Sequence, residues 1–442
     1  MKRYTKMKDS GVEWIGEIPE HWVAPSIRRF TKVQRGASPR PIDDQKYFDE
    51  KGEFAWVRIA DVSKSHEFLN ETKQSLSELG SSLSVKIFPG ELFLSIAGSV
   101  GKPIIANIKC CIHDGFVYFP NHNESDRFLY YNFVCGKCFD GLGKHGTQLN
   151  LNSETVADIN IPLPSKPEQT AIVAFLDEKT SKIDDLIAKK ERKIELLKEQ
   201  RKALINQAVT KGLDPTVPMK DSGVEWIGKI PEGWEIKRIK HIANARPSNV
   251  DKHIFDDEIS VKLCNYTDVY YNEKIDSNDG FSFGSVNEKE FEKFSVKKGD
   301  VILTKDSESA DDIGVPAYIS NELDNVVCAY HLTQITADFR YAIGEFIFRY
   351  IQADIVRKFF ELEANGVTRF GLSKATIENL FIPLPDVNEQ QMIVEKLNKE
   401  FEEINELVIK EAQKIELLKE YRQSLISEIV TGKIDVREEV VV

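Results

Sequence analysis

Two stretches of the chain share one helical rhythm. From Glu168 to Lys211 there is neither glycine nor proline, and Ile183, Ile187, Lys190, Ile194, Leu197, Arg201, Leu204 and Ala208 step by four and three in turn. Such a stripe is a coiled-coil seam, here interrupted by two charges. A second seam runs through Ile404, Val408, Glu411, Ile415, Leu418, Arg422, Leu425 and Ile429, each 221 positions beyond its counterpart. Each helix should be ~60 Å or longer at ~1.5 Å per residue. Ser165-Lys-Pro-Glu168 opens the first and Asp386-Val-Asn-Glu389 the second. Both read as capping boxes, with Ser165 and Asp386 as N-caps.

The rest of the chain has a different period. Val85 to Phe93 and Gly101 to Phe119 alternate short apolar runs with Gly and Pro, as in a β-rich domain, and the second copy has the same plan. Gly52 to Val62, GEFAWVRIADV, reads as a strand, and Phe128 to Cys138 reads as helical. Gly299-Asp-Val-Ile-Leu-Thr in the second copy corresponds to Gly90-Glu-Leu-Phe-Leu-Ser in the first.

The two halves are one unit written twice. MKDSGVEWIGEIPE at Met7–Glu20 returns as MKDSGVEWIGKIPE at Met219–Glu232, and Trp22 and Trp234 follow at the same spacing. IPLP recurs at Ile161 and Ile382, and KIELLKE at Lys193 and Lys414. A function that comes in two copies is therefore expected. The predicted fold class is α+β, with two β-rich domains each followed by a long helix. The parts are 1–161 and 215–382, the two globular domains, and 162–214 and 383–442, the two helical regions. The seam charges do not settle how the helices pair. A parallel pairing sets Lys190 against Glu411, and an antiparallel one centred between the charges sets Arg201 against Glu411. An antiparallel coiled coil gives the halves a pseudo-two-fold relation and is the expected arrangement. Its interface residues are Ile183, Ile187, Ile194, Leu197 and Leu204 against Ile404, Val408, Ile415, Leu418 and Leu425.

Composition narrows the class further. No apolar run approaches the ~20 residues that cross a bilayer, the first residues lack the apolar core of a secretory signal, and six cysteines without framework spacing fit a reducing cytoplasm. The net charge of −12 is lopsided. Residues 1–214 hold 31 Lys and Arg against 29 Asp and Glu, whereas 215–442 hold 28 against 42, so most of the acid lies in the second half. Net charge governs long-range steering and leaves room for a local basic cleft.

The chemical signals are weak. Gly141 to Gly146 fits GxGxxG but lacks the surrounding strand and helix, so it reads as a loop. Cys135 and Cys138 form a CxxC with Cys110 and Cys111 upstream. Adjacent cysteines on a strand point to opposite faces, which suits one metal ion poorly, and buried thiols are expected. His113 and His331 read as core or loop residues. No catalytic motif is present, and the chain reads as a non-enzyme without a cofactor or metal of its own.

These residues carry a resemblance. DSGVEWIGEIPEHW and its repeat, INIPLPSKPEQTAIVAFLDEKTSKIDDLI at 159–187 with FIPLPDVNEQQMIVEKLN at 381–398, GTQLNLN at 146–152 and GELFLSIAGSVGKP at 90–103 together resemble the specificity subunit of type I restriction–modification systems. The resemblance spans nearly the whole chain. It implies two target recognition domains, each reading one half of a bipartite double-stranded DNA site, with the helices setting the gap. It also implies two modification subunits and two restriction subunits as partners. Adenine-N6 methylation with S-adenosylmethionine and ATP-dependent cleavage with Mg would belong to those partners. Gly299 to Pro316 departs from the Gly-Ser-Val-Gly form of the first copy, so the domains should read different sequences. Expected DNA contacts are Arg58, Lys64, Lys102, Lys144, Thr147 and Gln148 in the first domain. In the second they are Lys262, Lys305, Thr368 and Arg369. The contrasting reading, favoured by the acidic balance, is a repeated coiled-coil scaffold that binds only proteins.

Overall fold

A computed structural model describes residues 2–142 and 151–438. The chain divides into two compact units, one of residues 1–190 with 413–442 and the other of residues 191–412. The two long helices, Lys166–Lys211 and Val387–Val430, pass from one unit to the other. Each start carries one half of the expected capping box. Ser165 Oγ bonds Glu168 at 2.9 Å, and Asp386 Oδ1 accepts the Glu389 N–H at 2.9 Å.

Within each unit the helix segments run antiparallel. In the second unit Lys193 reaches Glu411 at 2.9 Å, and the Arg201 guanidinium lies 4.3 Å from the Phe401 ring. One helix advances as the other retreats. In the first unit Asp184 pairs with Arg422 at 2.9 Å, and Ile183 and Ile187 share an apolar cluster with Leu418 and Leu425. The expected pairing of Arg201 with Glu411 is not found. Glu411 is only 4 % exposed and is met by the long arm of Lys193, while Phe401 and Glu273 draw Arg201 elsewhere. Leu197, Ile404 and Ile415 are buried, and Ile194, Leu204 and Val408 half-buried.

The first globular domain holds a four-stranded sheet, in the order Ser75–Leu76, Phe54–Val57, Cys110–Ile112, Val85–Ile87. Beside it lies a five-stranded sheet, in the order Gln34–Arg35, Phe116–Tyr118, Leu92–Ser95, Pro103–Ala106, Phe68–Leu69. The second domain repeats the plan. Its five strands run Ala243–Pro247, Leu332–Ala337, Val301–Thr304, Pro316–Ile319, Lys274–Ile275, and its smaller sheet runs Ser282–Val286, Ile259–Cys264, Val326–Cys328. The backbone registers match residue for residue. Gly90 N–H donates to Ala106 O and Gly299 N–H to Ile319 O, both glycines at φ near +90°. That left-handed geometry is why glycine recurs at this turn.

The expected strand over Gly52 to Val62 is shorter than predicted. It ends at Val57, and a helix spans Ile59–Lys64. Asp61 accepts the Arg58 N–H at 2.9 Å, a one-sided cap at the start of the helix. Asp268 and Asn265 repeat the contact at 2.8 Å.

The repeated signature has a structural reason. Met7–Asp9 pairs with Glu17–Pro19, and Met219–Asp221 with Lys229–Pro231, in the same hairpin register. Each hairpin seats the end of a long helix. Gly212, at φ +75°, ends the first helix against Trp234, and Gly432, at φ +70°, ends the second against Pro19 and Trp22. Both tryptophans are buried. After Gly432 the chain stays on the first unit, where Lys433 Nζ donates to Ile15 O at 3.1 Å and Asp435 N–H to Lys2 O at 2.9 Å.

All six cysteines are free and buried. Cys110 and Cys111 enter separate apolar clusters, and neither lies in the cluster of Cys135 and Cys138. Among the described residues, no helix is long and apolar enough to cross a membrane.

Candidate nucleic-acid interface

The two domains present different polar surfaces on matching frameworks. In the first, the strand ending at Val57 delivers Arg58 to the surface. There it lines a groove of about 1170 Å³ with Arg40, Trp56, Gln74, His113 and Asp114. The groove floor is aromatic. Trp56 is buried, and the His113 ring sits 5.9 Å from it and 4.6 Å from Phe116. Burial pulls the His113 imidazole below its usual value, with Asp114 pulling the other way. Arg40 and Arg58 stand exposed above this floor, with Arg40 3.6 Å from Asp114. Lys64 lies in a second groove with His66, Asn70 and Lys73.

In the second domain the polar groups converge around His331. Its backbone is left-handed at φ +69°, uncommon for a residue other than glycine and a mark of a constrained site. Asp306 Oδ2 lies 2.5 Å from its Nδ1, and the Arg369 guanidinium lies 3.4 Å from both ring nitrogens. Lys305 N–H donates to His331 O, as Ile96 N–H donates to Gly115 O in the first domain. Arg369 belongs to a short loop closed by two backbone bonds between Asn365 and Gly371. Gly366 is obligatory at its base, because a Cβ there would fall 1.9 Å from Arg369 O. The tip carries Val367, 93 % exposed, beside exposed Thr368.

Arg58 and Lys64 are thus exposed on the first domain, and Thr368 and Arg369 on the second. Three other lysines are spent on internal bonds. Lys102 Nζ donates to Ser63 O and Ser65 O at 3.2 and 2.6 Å, and burial lowers its pKa. It buttresses the helix that carries Lys64. Lys262 Nζ bonds Asn278 at 3.1 Å, and Lys305 Nζ bonds Ser248 O at 3.1 Å. Lys144, Thr147 and Gln148, with most of the GxGxxG stretch, lie outside the described residues. The sequence reading passed over Arg40, Asp114, Asp306 and Val367 and took His331 for a core or loop residue. Asp306 and His331 meet only through strand pairing, which no local pattern announces.

Two different polar surfaces on matching frameworks mark a duplicated protein whose halves share one plan. The sequence matches the family described as Type I restriction modification DNA specificity domain over residues 19–196 and again over 231–417, and the chain belongs to that family. The family supplies specificity, not catalysis. The chain is 23% identical over 436 residues to the type I restriction enzyme MjaVIII specificity subunit of Methanocaldococcus jannaschii, covering 95% of this chain and 94% of that one. It is 23% identical to the EcoBI specificity subunit of Escherichia coli, covering 89% and 82%. Its fold is similar to that of a chain solved in a study titled as the structural basis of assembly and conformational transition of the type I R-M system. That match has a TM-score of 0.70, 14% identity and coverage of 94% and 99%. It is also similar to the HsdS subunit from Thermoanaerobacter tengcongensis, with a TM-score of 0.52, 14% identity and coverage of 94% and 98%.

Proposed function

We propose that this chain chooses the DNA site of a type I restriction–modification complex, each domain reading one half of a bipartite target. The observation that supports this most is the family match repeated over both halves. Around it stand two exposed polar clusters built from different residues on the same strands. In the first domain Arg58 and Arg40 face bases in the major groove, where arginine matches the O6 and N7 acceptors of guanine. Lys64 and Lys73 take phosphates, which position the duplex without reading it. In the second, Arg369 is the base-reading arginine, aimed by His331 and Asp306. Val367 and Thr368 offer methyl groups suited to the C5-methyl of thymine.

The long helices act as the spacer. They fix the number of unread base pairs between half-sites, DNA rising ~3.4 Å per base pair. Two modification subunits bring S-adenosylmethionine and methylate adenines, and two restriction subunits bring ATP and Mg. No step of that chemistry falls to this chain.

Mapping the adenines methylated by the complex tests the reading, with two short sequences at a fixed separation as the expected result. Binding should also weaken steeply with added salt, because phosphate neutralisation releases counterions. Assembly with partner subunits that proceeds without any sequence preference in DNA would favour the protein-only scaffold.

A further inference from the structure

The base of each globular domain is fastened to the helix segments of its own unit by an ion-pair network, and the two networks carry charge at different positions. In the first unit Arg127 bridges Glu67 of the same domain and Asp177 of the first long helix, which also accepts from Tyr131 Oη at 2.6 Å. Burial acts against the Arg127 charge, but Glu67, Tyr131 and Asp177 together outweigh it, so its pKa is raised. In the second unit Arg349, 1 % exposed, bonds Asn398 of the second long helix at 2.8 Å and lies 3.8 Å from Glu345. Glu273 there takes Arg201 from the first long helix.

These positions correspond. Glu67 O accepts the Ile105 N–H, and Glu273 O accepts the Tyr318 N–H, from the matching strand. Arg127 and Glu345 are each the second residue of their helices, Asp126–Val134 and Gly344–Ile351, and Tyr131 and Arg349 each the sixth. Asp177 and Asn398 are 221 apart, as are Asp184 and Asn405, and Arg201 and Arg422. The helix surface under the first domain therefore offers Asp177, Asp184 and Arg422, with Arg422 satisfied by Asp184 at 2.9 Å. Under the second domain the same positions hold Asn398, Asn405 and Arg201. With no aspartate at 405, Arg201 turns to the domain.

We infer that this pattern keys each recognition domain to its own place on the helices, so that the order of the two half-sites is fixed by charge matching as well as by chain connectivity. The first domain presents the half-buried Arg127 to an acidic seat. The second presents a glutamate to a basic one. Moved to the second seat, the first domain would bring Arg127 against Asn398 and beside Arg201, two guanidinium groups sharing one carboxylate, Glu67. Leaving a desolvated charge without its partner is the costly error in such networks.

The inference rests on the reading of these domains as DNA-recognition domains, and its test separates the two. In the full chain with its modification partners, residues 235–381 are replaced by residues 23–160. The chimera should melt roughly 5 °C or more below the parent. Adding Asn398→Asp and Asn405→Asp should recover most of that loss. A chimera as stable as the parent, or no recovery with both aspartates, overturns the keying. Should the chimera fail to fold at all, the natural chain decides. Asp177→Asn should lower its melting temperature by a few degrees and have no further effect where Arg127 is already Met. Equal losses in both backgrounds overturn it. A rescued chimera that methylates no interrupted palindrome of the first half-site would support the keying and overturn the DNA-reading assignment.

Discussion

The two units are alike in backbone and unlike in charge. Their strands share one register, their turns place glycine at the same left-handed positions, and their long helices end on glycines against matching tryptophans. Yet Arg58 occupies the N-cap position of a helix in the first domain where Asn265 occupies that of its counterpart. An arginine groove in one becomes a His331–Asp306–Arg369 cluster in the other. What must be held constant in such a duplicated protein is the geometry with which each domain meets the helices. What is free to vary is the outer polar surface, where the proposed reading places the specificity.

The largest expected effect comes from breaking that equivalence outright. Replacing residues 23–160 with a foreign domain that keeps the Glu67 and Arg127 positions should change the first half-site completely and leave the second untouched. Methylation mapping reads this directly. A change in both halves would mean that the domains do not read independently.

Next in size is removal of one unit. A fragment of residues 1–217 lacks residues 413–438, which complete the first unit, and exposes Ile183, Ile187 and Leu204. A second copy supplies equivalents of both. In that homodimer Asp184 meets Arg201 in place of Arg422, and Gly212 replaces Gly432 on the Trp22 seat. Lys193 faces Lys190 in place of Glu411. The register observed here moves the like-charge contact from Lys190 and Arg201, where centring the seam on its charges would put it, to these two lysines. That contact should weaken the dimer by about 1 kcal/mol or less without preventing it. Sedimentation should show a dimer, and methylation an interrupted palindrome. A folded monomer would refute the quasi-equivalence of the units.

A smaller effect sharpens the contrast between reading surfaces. Arg369→Met should relax selectivity at one base pair of the second half-site by roughly 10- to 100-fold, the worth of a bidentate guanine contact. Lys64→Met should weaken all sequences evenly and reduce the salt slope by about 1. If Arg369→Met behaved like Lys64→Met, Arg369 would be a phosphate contact.

Much of this was legible in the sequence, for identifiable reasons. Helix starts and seams follow from period and capping chemistry, which act over a few residues, and the antiparallel pair follows from the duplication, which relates the halves by a pseudo-two-fold axis. The helix at Ile59–Lys64 was missed because Val57, Ile59 and Val62 favour strand, while the Asp61 cap that overrides them is one contact. The pairing of Arg201 was missed because a seam pattern says nothing of a globular domain beside the helix. Glu273 is 72 positions from Arg201, and strand order alone brings them together. The clusters around His113 and His331 escaped for the same reason. They are products of sheet register.

The finest test concerns Glu273. Burial would raise its carboxyl pKa, but its bond to Arg201 and the nearby Arg349 hold it below the usual glutamate value. A carboxylate with a depressed folded-state pKa contributes stability that is complete above its unfolded value, ~4.5, and is lost as pH falls through the folded one. The side chain is 39% exposed, so solvent screening limits the contribution to about 1 kcal/mol. Glu273→Gln removes the charge at every pH. The melting temperatures of parent and variant should therefore differ by a few degrees at pH 7, with the variant lower, and converge as pH falls below the depressed value. The first unit offers the control, since Glu67 bonds Arg127 inside its own domain and the helix arginine Arg422 already has Asp184. A parent–variant gap that persisted unchanged at pH 3 would mean that the glutamate acts through packing, and the charge contrast between the two seats would lose its basic half.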